Sequence, residues 1–316
     1  MTSRTRLALG SVVCAAMVVA RSFDHPAAAP AQAERTRTVF ASVLTKDGAP
    51  VTDLTAGDFE VRESGNARRI ASAKLSATPL RVHVIVSDGG SGAFQLGVLR
   101  LAQLLAGRAE FALTSVIVQA DRILNYTESP QLFGEAIQKL GRRGTGTGKA
   151  QLMDAISGAV KDIAAPGRHA VLIVLRVGNE EASTAPAAPL RDGIRQAGAT
   201  LYVVSRSGAS KAAPTFAGVN NMSPEAAQRQ MDDAELADTA LQLNLVLGDG
   251  SRESGGYSLE TALTSAVPSL EQLAAELRNQ YEIAYATLPG AKPGDKVQVT
   301  TRRKNVIVRA PQKLPN

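Results

Sequence analysis

Four apolar runs, set apart by helix-length stretches, decide what this chain can fold into. Arg81–Val86 (RVHVIV), Phe111–Ala120 (FALTSVIVQA), Ala170–Leu175 (AVLIVL) and Thr200–Ser205 (TLYVVS) read as strands. Ala170–Leu175 has no polar residue at all, the mark of a strand covered on both faces. The intervening stretches carry helical spacing. Residues 93–106 place Phe94, Leu101 and Leu104-Leu105 on one broad face. Ser129–Leu140 opens with Ser129 as N-cap and Pro130 at the first helical position. Leu152–Ala164 sets Leu152, Ile156 and Val160 at i, i+4 and i+8, and Leu190–Gln196 stops at Ala197-Gly198, where glycine can take the left-handed cap. Such alternation predicts a mostly parallel sheet with helices on both faces. Hydrophobic residues are 44% of the chain but aromatics only 4%, with no Trp. The core is therefore built from Val, Leu, Ile and Ala.

Residues 1–33 stand outside this pattern. Arg4 and Arg6 precede the uncharged run Leu7–Ala20, which leads through an Ala/Pro-rich stretch to Ala31-Gln32-Ala33. That layout is a secretory signal peptide with a cleavage site before Glu34, and 14 apolar residues are short for a membrane span of roughly 20. The expected location is periplasmic or extracellular, with no integral membrane segment after cleavage. The single cysteine, Cys14, lies in this leader. The processed chain then supports neither a disulfide scaffold, a thiol enzyme nor a cysteine-ligated zinc site.

Between the leader and the first apolar run, residues 34–78 read as a small antiparallel β module. Thr38–Leu44 is strand-like, Lys46-Asp47-Gly48 and Ser64-Gly65-Asn66 are turns, and Ile70–Leu75 is a further strand. The module has too few apolar residues to stand alone and is expected to pack on the remainder of the chain. Residues 79–316 are taken as one larger domain, with a polar insertion around 206–232. Ala234–Leu247 has a helical pattern. Ser269–Gln280 reads as a helix opened by a Ser-x-x-Gln capping box. Beyond it lie the strand candidates Tyr281–Ala286, Lys296–Thr301 and Asn305–Arg309.

Several motifs in this order resemble one family. Lys46-Asp47-Gly48, Val51, Leu54, Asp58-Phe59, Val61, Glu63 and Gly65 match a leading β module; Leu190–Ser205 matches a helix-then-strand unit. Ser254-Gly255-Gly256 matches a glycine turn, and Leu273–Tyr285 (LAAELRNQYEIAY) a closing element. Together they resemble the von Willebrand factor A-related proteins of acidobacterial type. The resemblance implies a Rossmann-like α/β domain whose loops at the carboxyl edge of the sheet hold a magnesium ion, with a partner's acid as one ligand.

The residues that would hold that ion are mostly missing. Magnesium requires about six oxygens in octahedral array. The family's first loop is Asp-x-Ser-x-Ser, and here it reads Ser87-Asp88-Gly89-Gly90-Ser91-Gly92. Aligned from Asp88, both serines become Gly90 and Gly92; aligned one residue earlier, only Ser91 survives. Ala150 stands at the threonine of the second loop, with Thr145 and Thr147 out of register, and Val177 at the aspartate of the third. Asn179, Glu180 and Glu181 come too late for a simple replacement, and Arg176 would bring a positive group. Asp88 and Ser91 are thus the only candidate metal ligands, in a degenerate site, and no cofactor is expected.

Other chemistry finds little support. Gln95 breaks the dinucleotide pattern begun at Gly90, and Arg143 and Ala150 break the phosphate-loop pattern around Gly144–Lys149. His83 and His169, the histidines left after cleavage, read as packed strand residues rather than a catalytic pair. The net charge of +6 includes Arg4, Arg6 and Arg21 of the leader, and no aromatics interleave with the basic pairs, so nucleic-acid binding is not expected. The expected function is a non-enzymatic interaction module for a protein or cell-envelope partner, independent of metal. The alternative is a magnesium-dependent adhesion module using Asp88, Ser91 and a loop threonine.

Overall fold

The computed structural model describes residues 36–141, 148–178, 181–206, 224–261, 266–287 and 296–315. The expected leader and cleavage site lie outside these residues, as do Thr145, Thr147, Asn179, Glu180 and the stretch 207–223.

Four strands open the fold: β1 (Thr36–Thr45), β2 (Phe59–Glu63), β3 (Asn66–Arg68) and β4 (Ile70–Leu75). The turn after β1 closes at Gly48, whose φ of +83° only glycine adopts without strain. Between β1 and β2, Asp58 accepts the Thr55 backbone amide at 2.8 Å and so starts a short 3₁₀ turn. A two-residue turn, Ser64 (φ +50°) and Gly65 (φ +82°), joins β2 to β3; positive φ at both positions matches the right-handed twist of a hairpin.

The alternating region contains the four strands the sequence predicts, the run Phe111–Ala120 ending at Val116, and two more that form no continuous apolar run, Ala120–Thr127 and Tyr257–Thr261. Strands β5 (Leu80–Ser87), β6 (Ala109–Val116), β7 (Ala120–Thr127), β8 (His169–Val177), β9 (Thr200–Arg206) and β10 (Tyr257–Thr261) form one sheet in the order β10-β9-β8-β5-β6-β7. All neighbours are parallel except β7, which returns antiparallel along β6. Helices α1 (Gln95–Leu104) and α2 (Pro130–Leu140) cover one face, where Val82, Val84 and Val86 point. Helices α3 (Leu152–Ile163) and α4 (Ala187–Gln196) cover the other, against Ile85, Leu172 and Val174. Ser129 caps α2 as expected, its hydroxyl accepting the Leu132 amide at 3.4 Å, and Gly198 takes the left-handed cap after α4 at φ +62°.

Two expectations need correction in the next stretch. Residues 224–232, placed in a polar insertion, begin a helix of 20 residues, α5 (Pro224–Leu243). Its Ala, Gln, Glu and Leu residues favour helix even where no face is apolar enough to be recognised. A π-helical stretch, Asn244–Gly250, and a short α6 (Ser251–Glu253) lead on to β10. The next helix, α7 (Ala266–Arg278), includes Ser269 as a buried residue within it, so the expected capping box is not its start. It packs against α1 and contributes to the same core, which completes the first face.

The last strands leave the large sheet. β11 (Tyr281–Ala286), β12 (Val297–Thr301) and β13 (Val306–Arg309) pair with the opening module instead. One sheet runs β13-β1-β11-β4 and the other β12-β2-β3. Val39, Ala41, Val43, Phe59, Val61, Tyr281, Ile283, Tyr285, Val297 and Val299 meet between them as a third core. The boundary drawn at residue 78, with 79–316 as one domain, is therefore corrected: the module takes strands from both ends of the chain. Pairing over such separations leaves no local sequence signal. Among the described residues no helix is long and apolar enough to cross a membrane.

Candidate functional site

In an open parallel sheet the strand-to-helix loops converge at the carboxyl edge, where ligands bind. Here that edge is formed by the ends of β5, β8, β9 and β10 and the start of α3.

The β5 loop is tightly wound. Gly89, Gly90 and Gly92 have φ of +65°, +81° and +72°. Asp88 is buried and its carboxylate closes the loop on itself: Oδ1 accepts the Gly90 amide at 3.0 Å and Oδ2 the Ala93 amide at 2.9 Å. Ser91 donates its own amide to the Asp88 carbonyl at 3.2 Å, and its side chain is exposed. The loop thus brings the two candidate ligands together, but both carboxylate oxygens of Asp88 already hold amides.

The other two loops add no donor at the implied positions. Ala150 and Val177 have apolar side chains, and Ala150 is tied to the third loop by the Ala182 amide on its carbonyl at 2.8 Å. The described donor set does not fit an octahedral magnesium ion. Among the described residues, no cluster of three or more His, Cys, Asp or Glu is placed to hold a metal.

Glu181 and Arg176 have taken structural places. Glu181, buried, accepts the Leu152 amide at 3.2 Å and the Ser183 amide at 2.8 Å, so a carboxylate sits at the start of α3, where the helix dipole favours it. Arg176, also buried, donates Nε to the Gly178 carbonyl at 3.0 Å and Nη2 to the same oxygen. Burial pulls the Arg176 guanidinium below its ordinary range, and the charge of Glu181 partly opposes this. Register places Ser87, Arg176, Ser205 and Glu260 in one row across β5, β8, β9 and β10.

The histidines are packed, as the sequence predicts. His83 lies 2.8 Å from Thr114 Oγ1 and 3.2 Å from Tyr126 Oη, and burial takes it down to about 3. His169 lies 3.0 Å from Thr200 Oγ1 and stacks on Phe40 with ring centres 4.0 Å apart; burial takes it to about 4.

Sequence reasoning missed a buried polar seam. Glu276 accepts from Arg309 at 2.5 Å and from the Tyr202 hydroxyl at 3.4 Å. Gln280 donates to Ser42 Oγ and to Tyr202 Oη, each at 3.2 Å. Tyr285 donates to Glu63, which also pairs with Arg37 at 3.0 Å and Arg68 at 3.3 Å. Glu276, Gln280 and Tyr285 belong to the closing motif and Glu63 to the leading one. The signal was present, and its meaning is cohesion between the module and the large sheet.

No family model matches the chain, and no curated protein matches it. Solved structures similar to it include proximal thread matrix protein 1 from the mussel byssus, at 11% identity and a TM-score of 0.44, covering 65% of this chain and 48% of that one. The chain thus spans about half the length of that protein. A von Willebrand factor type A protein from Catenulispora acidiphila is similar at 11% identity and a TM-score of 0.42, covering 87% and 71%. BatB from Bacteroides thetaiotaomicron is similar at 12% identity and a TM-score of 0.41, covering 63% and 100%.

Proposed function

We propose that this chain is an exported, non-enzymatic interaction module. It binds a protein or cell-envelope component through the carboxyl-edge loops without a metal ion, in the periplasm or outside the cell. One observation carries the metal-independent part: the Asp88 carboxylate is occupied by the amides of Gly90 and Ala93. Beside it Gly90, Gly92, Ala150 and Val177 offer no side-chain oxygen, so a cation at Asp88 would lack most of the six donors magnesium takes. Support for binding at this edge comes from the converging loops and from Ser91, exposed at the turn.

The test is capture from envelope extract on immobilised residues 34–316, with and without chelator. A specific partner should be retained in both conditions and lost from a Ser91→Arg variant that crowds the edge. Retention that chelator abolishes would transfer the assignment to the magnesium-dependent adhesion module.

A further inference from the structure

At the carboxyl ends of β8, β9 and β10 the sheet opens into a cleft of about 330 Å³. Arg176 and Ser205 stand side by side along its strand side. Val203, Leu243 and Leu247, all buried, make it apolar lower down. Asn244, in the π-helical stretch, and the exposed Glu260 also line it, and Ala240 of α5 lies at its exposed side. A π-helical turn beside a polar cleft is a recurrent feature of ligand sites.

We propose that this cleft binds a carboxylate carried on an apolar stem, anchored by Arg176. The inference rests on the carboxyl edge being the binding side of the molecule. A planar guanidinium meets a carboxylate through paired hydrogen bonds, and in a partly desolvated cleft such charge-assisted bonds are the strong ones. The incoming group adds to the bonds Arg176 makes with Gly178. The Val203, Leu243 and Leu247 surface accepts a short aliphatic stem rather than a second charge. Arg206 and Glu260, which both line the cleft, carry opposite charges, so selection against phosphate comes from the Val203, Leu243 and Leu247 surface, which an ion without a stem leaves uncovered. The same chemistry is offered by a free aliphatic acid and by an acidic side chain flanked by apolar residues.

Thermal melts of residues 34–316 with three probes test this: hexanoate, the blocked tripeptide acetyl-Leu-Glu-Leu-amide, and inorganic phosphate at matched ionic strength. Hexanoate or the tripeptide should raise Tm saturably, and phosphate should not. Binding of hexanoate alone identifies a small acid as the ligand class, and of the tripeptide alone a protein side chain. Arg176→Met should remove the shift, and Arg176→Lys should weaken it about tenfold, since Lys lacks the bidentate geometry. Should Arg176→Met not fold, Ala240→Phe, at an exposed helix position, narrows the cleft and should also remove the shift. No shift with either carboxylate, an equal shift with phosphate, or binding undiminished in the variants would overturn the inference. Partner capture that Ser91→Arg abolishes and Arg176→Met spares would overturn it while leaving the loop assignment standing.

Discussion

Glu63 is a carboxylate taken almost completely out of water, at 1% exposure, and kept there by Arg37, Arg68 and the Tyr285 hydroxyl. Removing the carboxylate leaves the Arg37 and Arg68 guanidiniums without their counter-charge in a largely buried site, which costs about 3–5 kcal/mol. Glu63→Ala should lose stability on that scale in urea unfolding; a loss within the ordinary surface range of about 0.5 kcal/mol would show that Glu63 is not the hub of the module. The histidines give a pH dependence of definite sign. Burial depresses His83 to about 3 and His169 to about 4, whereas both titrate at 6.5 when unfolded. From pH 6.5 down to about 4 the unfolded chain binds more protons, so stability falls by up to about 1.4 kcal/mol per pH unit for each histidine. Above that window their contribution is constant. Urea midpoints at about pH 7 and about pH 5 should differ accordingly, and His83→Gln should flatten the slope. An unchanged slope in that variant would contradict the burial of His83. Restoring serines to the β5 loop is the third residue-scale case. Gly90 and Gly92 hold φ of +81° and +72°, and a Cβ on Gly92 would meet Gly141 Cα at 3.3 Å. Gly90→Ser with Gly92→Ser is therefore expected to lower Tm, at about 1–2 kcal/mol per strained residue, rather than to rebuild a metal site.

Among the elements, the Ser254-Gly255-Gly256 turn joins three segments. Ser254 accepts the Leu201 amide at 2.9 Å, a Cβ on Gly256 would lie 1.9 Å from the Leu201 carbonyl oxygen, and one on Gly255 would lie 2.6 Å from the Pro311 nitrogen. β9, β10 and the segment after β13 thus meet where only glycine fits. Gly256→Ala should destabilise the chain far more than Gly158→Ala, whose added Cβ would have nothing within 4 Å; equal melting temperatures would refute the close approach. Four strands of the large sheet were legible because they are continuous apolar runs, and its helices because they have one apolar face; β7 and β10, polar and largely half-buried or exposed, were not. Ser129-Pro130 and Gly198 worked as start and stop signals because caps act locally. α5 was misread over its first turns because polarity was taken for loop, and α7 because Ser269 imitates a cap inside a helix. At the site, Asp88 and Ser91 were legible as neighbours. The use of Glu181 on α3, and of Glu276 and Gln280 in the seam, depends on partners that no sequence spacing reveals.

For the molecule as a whole, the opening module lacks its own core until β11, β12 and β13 arrive from the far end of the chain. Residues 34–78 expressed alone should be unfolded by circular dichroism, whereas residues 34–316 should melt cooperatively. A folded fragment would mean that β1–β4 suffice. The carboxyl edge is then presented by a body whose two halves are fastened through Glu276, Gln280 and Arg309, away from the loops that would meet a partner. On this reading the loops bind their partner without a cation. That is tested most directly by the melting temperature of residues 34–316 in millimolar Mg²⁺ against the same protein in chelator. A ligand of the native state at a hundredfold excess over its Kd adds about 2.7 kcal/mol, which a melt resolves easily. The two curves should coincide. A rise in Tm with Mg²⁺ that is reversed by chelator and absent in Asp88→Ala would contradict that reading.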